Sequence, residues 1–187
     1  EYFKGKDPVE LAKDLLGKQL VHITPEGISS GMIVETEAYL QNDPACHASK
    51  GKTARNASMF EESGKSYVYL IYGMYHCFNV VASRKGIGEA VLVRALDPVE
   101  GIALMQERRS VPKAMDLTNG PGKLCMALGI GKGQDGLELW RPPLFIAEGK
   151  KVLSSDVGIS KRIGVSDAKE AAEEAYEAKA PEEEATV

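Results

Sequence analysis

At 187 residues with 43% hydrophobic side chains, the chain is long enough to bury one core and short for two independent domains. It has no apolar run long enough to span a bilayer, its first 17 residues lack the basic-then-apolar order of a secretory leader, and Cys46, Cys77 and Cys125 are too few and too scattered for a disulfide framework or a close-paired zinc site. The net charge of −4 argues against nucleic-acid binding until it is located: residues 167–187 hold eight acids and two lysines, which leaves residues 1–166 with 21 bases against 19 acids.

Asp7-Pro8-Val9-Glu10 has an N-cap acid, a proline at the first helical position and a glutamate at the third, and predicts a short helix closed by Gly17. Residues 20–23 and 28–40, joined by Pro25-Glu26-Gly27, predict two strands of a hairpin, the second long enough to be bulged. Residues 41–66 are small, polar and charged with little periodicity, longer than an ordinary connection and so either functional or disordered. Aromatic and β-branched residues then dominate 67–72 and 75–82 around Gly73-Met74, predicting a second hairpin, with another strand at 89–96. Asp97-Pro98 is expected to cap a helix reaching about residue 108, and Asn119-Gly120-Pro121-Gly122 to open another with Leu124, Ala127 and Leu128 inward. Short strands are expected around Trp140, Phe145 and Val152. The division expected is a domain over residues 1–166 and an acidic Ala/Glu-rich tail, helical or disordered, over 167–187.

The densest run of chemically useful side chains lies between Glu35 and Asn79. Glu35-Thr36-Glu37-Ala38-Tyr39-Leu40, His47, Tyr67-Val68-Tyr69-Leu70-Ile71-Tyr72-Gly73-Met74-Tyr75, Cys77 and Asn79 together resemble the alkyladenine (3-methyladenine) DNA glycosylases. The similarity continues through Leu92-Val93-Arg94-Ala95-Leu96 and Gly120-Pro121-Gly122-Lys123-Leu124. It breaks after residues 159–165, where an Ala/Glu-rich run stands in place of the family's aromatic-rich final strand.

The resemblance implies an α+β single domain with a curved, mostly antiparallel β-sheet, flanking helices and a protruding, DNA-intercalating β-hairpin. It implies an enzyme that extrudes a damaged purine from double-stranded DNA and hydrolyses its bond to the sugar, with no cofactor and no metal. Glu37 matches the general base, and Arg94 a residue beside the catalytic water and the phosphate of the flipped nucleotide. Tyr39, His47 and Tyr69 match residues that sandwich the base, Leu92 the pocket floor, and Asn79 the residue that rejects a 2-amino group. Tyr72 matches the side chain inserted through the minor groove, flanked by Met74 and Tyr75. Lys52, Thr53, Arg55 and Lys123 are placed to meet DNA phosphates. A cytoplasmic, nucleoid-associated monomer is expected, with no membrane partner.

Two alternatives stand beside this reading. One is a nucleic-acid-binding module that uses the same pocket without hydrolysis, against which Glu37 argues. The other is a zinc nucleobase deaminase, whose Pro-Cys-x-x-Cys pair is absent. Gly120-Pro121-Gly122-Lys123 also lacks the glycine spacing of a P-loop.

Overall fold

The first helix, α1 (Pro8–Leu15), forms where its cap chemistry predicts: the Asp7 carboxylate accepts from the amides of Val9 and Glu10 at 2.8 and 2.9 Å. These bonds satisfy two of the otherwise unpaired donors of the first turn. The helix buries Leu11, Ala12 and Leu15, and Gly17 turns the chain back at φ +80°, where its amide donates to the Ile33 carbonyl. A computed structural model of the protein describes residues 1–160 and the backbone of residues 177–179.

Strands β1 (Gln19–Thr24) and β2 (Gly27–Tyr39) form the first hairpin, and β3 (Ser66–Ile71) and β4 (Tyr75–Val81) the second. With β5 (Ala90–Glu100) and β6 (Leu144–Ala147) they make a curled antiparallel sheet in the order β3-β4-β5-β2-β1-β6. Strand β2 is long because its two halves have different neighbours. On one edge residues 27–32 pair with β1 and residues 35–37 with β8 (Glu177–Lys179), while on the other edge residues 30–39 pair with β5. Strand β8 also pairs with β7 (Gly158–Ser160). Residues 177–179 of the segment expected to be helical or disordered are therefore extended, and its remaining residues lie outside those described.

The helix expected from Asp97-Pro98 begins later. Strand β5 runs on through Pro98, which pairs with Gly31 where the ladder shifts register, and a bulge is where a residue without an amide hydrogen is tolerated in a sheet. Helix α2 (Ile102–Arg109) starts only after Gly101, whose φ is +75° and whose added Cβ would stand 2.3 Å from the Ile28 carbonyl oxygen. Helix α3 (Pro121–Leu128) opens at Gly120 as predicted and buries Leu124, Cys125, Ala127 and Leu128. Around Phe145 a strand forms, but Trp140 lies in an exposed turn and Val152 in no strand. The chain before Trp140 instead covers the edge of β3: Ser66 and Gly136–Leu137 exchange backbone hydrogen bonds, which leaves that edge partly paired.

The sheet separates two apolar clusters. Val68, Phe78, Val80, Val91, Val93 and Ala38 face the main core with α1 and α3. The opposite face, with Tyr67, Val81 and Ala90, is covered by the loop residues Cys46, Ala48, Met59 and Phe60. The long segment 41–66 is thus an ordered cover over one sheet face, with a single 3-10 turn at Ala57–Phe60.

Candidate active site

One cross-strand row builds the site. In register, Tyr67 of β3 stands opposite Asn79 of β4, Asn79 opposite Leu92 of β5, and Leu92 opposite Glu37 of β2. Residues opposite one another in a sheet share a face, as do residues two apart along a strand. Tyr39, Tyr69, Cys77 and Arg94 therefore join that row on the side covered by residues 41–60.

Glu37 is the buried charge of this face, with only 1% of its side chain exposed. Burying a carboxylate is costly unless it is paired and hydrogen-bonded. Both conditions are met. Arg94 Nη1 donates to Glu37 Oε1 at 2.8 Å, and the Tyr39 hydroxyl donates to Oε2, also at 2.8 Å. Arg94 Nε meanwhile donates to Glu35 Oε1 at 3.0 Å, so one guanidinium bridges two carboxylates. Burial pushes the Cys77 thiol up from its ordinary value, with the Glu37 charge adding to the effect.

Beside the carboxylate lies an aromatic group contributed by two elements. The His47 ring, carried by the covering loop, meets Tyr69 edge-on with centroids 4.4 Å apart, and Tyr69 lies 5.4 Å from Tyr67. A 2.9 Å hydrogen bond joins His47 Nδ1 and the Tyr67 hydroxyl. Although His47 reaches solvent, partial desolvation and then the Arg55 charge lower its pKa, which favours the neutral ring. Desolvation also drives the phenols of Tyr67 and Tyr69 well above their usual range.

Asn79 is buried, and its Nδ2 donates to the Tyr67 carbonyl at 3.0 Å. Leu92 is buried between Asn79 and Glu37 in the row. The β3–β4 tip joins the strands that carry Tyr69 and Cys77. Tyr72 is 84% exposed, and Met74 and Tyr75 are exposed beside it. Tyr72 and Gly73 both have positive φ, 52° and 70°, as the centre of a type I′ turn requires.

The residues expected to meet phosphate are exposed, three on the covering loop and one on α3. Lys52 lies over the Phe60 ring, while Arg55 lies over the Tyr69 ring and donates to the Leu70 carbonyl. The Thr53 amide donates to the Asn56 side chain. Lys123, in the first turn of α3, donates to Asn119 Oδ1. That turn packs on the hairpin, since a Cβ on Gly122 would stand 3.1 Å from Tyr75 Cβ.

Sequence reasoning passed over two contributors. Tyr67 precedes Tyr69 by two residues, so strand periodicity could have put it on the same face. Asn56 is buried and donates to the carbonyls of His47 and Gly51, pinning the covering loop. No local pattern marked it. Among the described residues, no group of three or more His, Cys, Asp or Glu could hold a metal ion, and no helix is long and apolar enough to cross a membrane.

Comparison with known proteins identifies the family. The family model for methylpurine-DNA glycosylase matches residues 2–180. A 3-methyladenine DNA glycosylase by name from Francisella tularensis strain SCHU S4 is 47% identical over 165 residues, spanning 87% of this chain and 86% of the relative. Proteins of the same name from the archaeon Methanoculleus marisnigri and from Rubrobacter xylanophilus are 46% and 50% identical, covering 89% and 82% of this chain and 88% and 80% of theirs. Matched over nearly its whole length, the chain belongs to the methylpurine-DNA glycosylase family.

Proposed function

We propose that the protein flips alkylated or deaminated purines out of duplex DNA and hydrolyses the N-glycosidic bond with a water activated by Glu37, leaving an abasic site. The substrates are 3-methyladenine, 7-methylguanine, hypoxanthine and ethenoadenine, and the enzyme works as a monomer. The observation that carries the reading is a buried carboxylate, held on both oxygens, on the same sheet face as an aromatic group open to the covering loop.

In the hydrolysis, the electron pair of the C1′–N bond leaves with the purine while water forms the new C1′–O bond. Glu37 takes the water's proton, and the negative charge around it favours the positive character that develops on the sugar. Tyr39, His47 and Tyr69 stack on the extruded base. A neutral His47 suits this task, because an imidazolium would repel a cationic alkylated purine. Leu92 floors the pocket, and Asn79 rejects a 2-amino group. Arg94 orients Glu37 and the reacting sugar-phosphate.

Tyr72 fills the gap left in the stack, with Met74 and Tyr75 at its sides, offsetting part of the unstacking cost. Lys52, Thr53, Arg55 and Lys123 meet the backbone. A lyase route would need an amine nucleophile, and the matched position holds a carboxylate, so the enzyme is monofunctional.

The test is single-turnover base release from a hypoxanthine duplex by wild type and Glu37→Gln, alongside binding to an abasic duplex. The variant should bind and fail to excise. Excision at the wild-type rate would remove Glu37 from the mechanism, and failure of the wild type to release any damaged purine would favour a non-catalytic binding module.

A further inference from the structure

We infer that Glu35 is a positioning residue that acts through Arg94 on the orientation of Glu37; the inference rests on the reading of Glu37 as general base. Arg94 uses different nitrogens for the two carboxylates, Nε for Glu35 at 3.0 Å and Nη1 for Glu37 at 2.8 Å. The guanidinium is planar and rigid, so fixing one edge fixes the other. With Nε anchored on Glu35, Glu37 Oε1 receives one donor from Arg94 and Oε2 receives one from Tyr39.

Removing that anchor takes away a bond that holds the fork's orientation, and favours a grip on Glu37 by two parallel bonds, the geometry that Arg–carboxylate pairs favour. A two-pronged clamp would draw more positive charge onto the carboxylate and occupy lone pairs that water needs. Glu35 prevents it by dividing the guanidinium between two acceptors.

The backbone is built for this division. The β2–β5 ladder runs Ile33↔Leu96, Glu35↔Ala95, Thr36↔Val93, so pairing skips Val34 on one strand and Arg94 on the other. Irregularities of this kind re-aim side chains. Here they flank Glu35 and coincide with Arg94, the two residues whose ion pair is at issue. Both side chains are 18% exposed, enough burial for the pair to hold a fixed geometry.

The test compares wild type, Glu35→Ala, Glu35→Gln and Glu37→Gln by single-turnover excision of hypoxanthine and by binding to an abasic duplex. Glu35→Ala should excise about 10- to 100-fold more slowly, the scale of a misplaced catalytic group. Glu35→Gln keeps an acceptor for Nε and should recover to within about 3-fold of wild type, and both should bind the abasic duplex within about 2-fold of wild type. If Glu35→Ala does not fold, Glu35→Asp, whose carboxylate stops one methylene short, carries the same expectation.

Wild-type excision by Glu35→Ala, equal loss of binding and excision, or a Glu35→Gln as slow as Glu35→Ala would each overturn the inference. A Glu37→Gln enzyme that still excises would overturn the reading of Glu37 itself. An inactive Glu37→Gln beside an unimpaired Glu35→Ala would overturn only the role given to Glu35.

Discussion

Tyr39 donates its phenolic hydrogen to Glu37 Oε2 at 2.8 Å from two positions further along the same strand. The spacing is what a strand requires for two side chains to share a face. Because Arg94 holds the other oxygen, the carboxylate cannot swing about its terminal bond, while each oxygen retains capacity to accept from water. One tyrosine thus joins the aromatic group to the Glu37–Arg94 ion pair.

Tyr39→Phe separates the two roles, since the ring survives and the hydroxyl is lost. Excision of hypoxanthine under single-turnover conditions should fall about tenfold, equivalent to about 1.4 kcal/mol of barrier, with lesion-duplex binding nearly unchanged. A variant as fast as wild type would show that Tyr39 works only by stacking.

Tyr72 sits at φ +52° in the hairpin tip, a region that disfavours side chains other than Gly, Asn and Asp. Tyr72→Asn should therefore stabilise the fold by about 0.5 to 1 kcal/mol while weakening base flipping. Thermal melts and a fluorescent reporter base beside the lesion would measure both. Flipping at wild-type level in a fully paired duplex would exclude the tip as the intercalating element.

Asn79 anchors its amide on Tyr67, which fixes the orientation of the side chain proposed to reject a 2-amino group. Asn79→Ala should lower the ratio of hypoxanthine to guanine release by about tenfold, since an unpaired buried polar group costs about 1 to 3 kcal/mol. The measurement is the two single-turnover rates in one sequence context with the variant shown to be folded. An unchanged ratio would place selectivity elsewhere.

His22 is buried at the end of α3, and its Nδ1 donates to the Leu128 carbonyl at 2.7 Å, so the neutral ring is the Nδ1–H tautomer. Burial first, and then the Arg108 charge, lower its pKa against the stabilising carbonyl bond. The unfolded chain therefore binds a proton more readily than the folded one. Stability should be fully present above the ordinary histidine pKa and decline as pH falls from there through the folded value. His22→Gln should flatten the melting temperature between pH 7.5 and 5; an unaltered slope would move the effect to other groups, His47 among them.

Much of the local structure was legible. The Asp7-Pro8 cap, both hairpins and the Gly120-Pro121 helix start are each specified by a few adjacent residues whose conformational preferences agree. The misplaced start of α2 came from the same kind of signal. Asp97-Pro98 can begin a helix or occupy a strand bulge, and proline's fixed φ allows both. Gly31 decided between them by pairing with Pro98 from a distant strand.

The sequence by itself determined the chemistry available: a carboxylate pair, a run of tyrosines, a histidine in a polar loop and an aromatic hairpin tip. Only the tertiary structure decided that Tyr67, Asn79, Leu92 and Glu37 lie in one row, that Arg94 reaches both Glu35 and Glu37, and that Asn56 pins the loop carrying His47 over Tyr69. The physical reason is that alternation along a strand reports which residues share a face within that strand. Register between strands, and the bulges that shift it, follow from packing and hydrogen bonding among residues far apart in the chain.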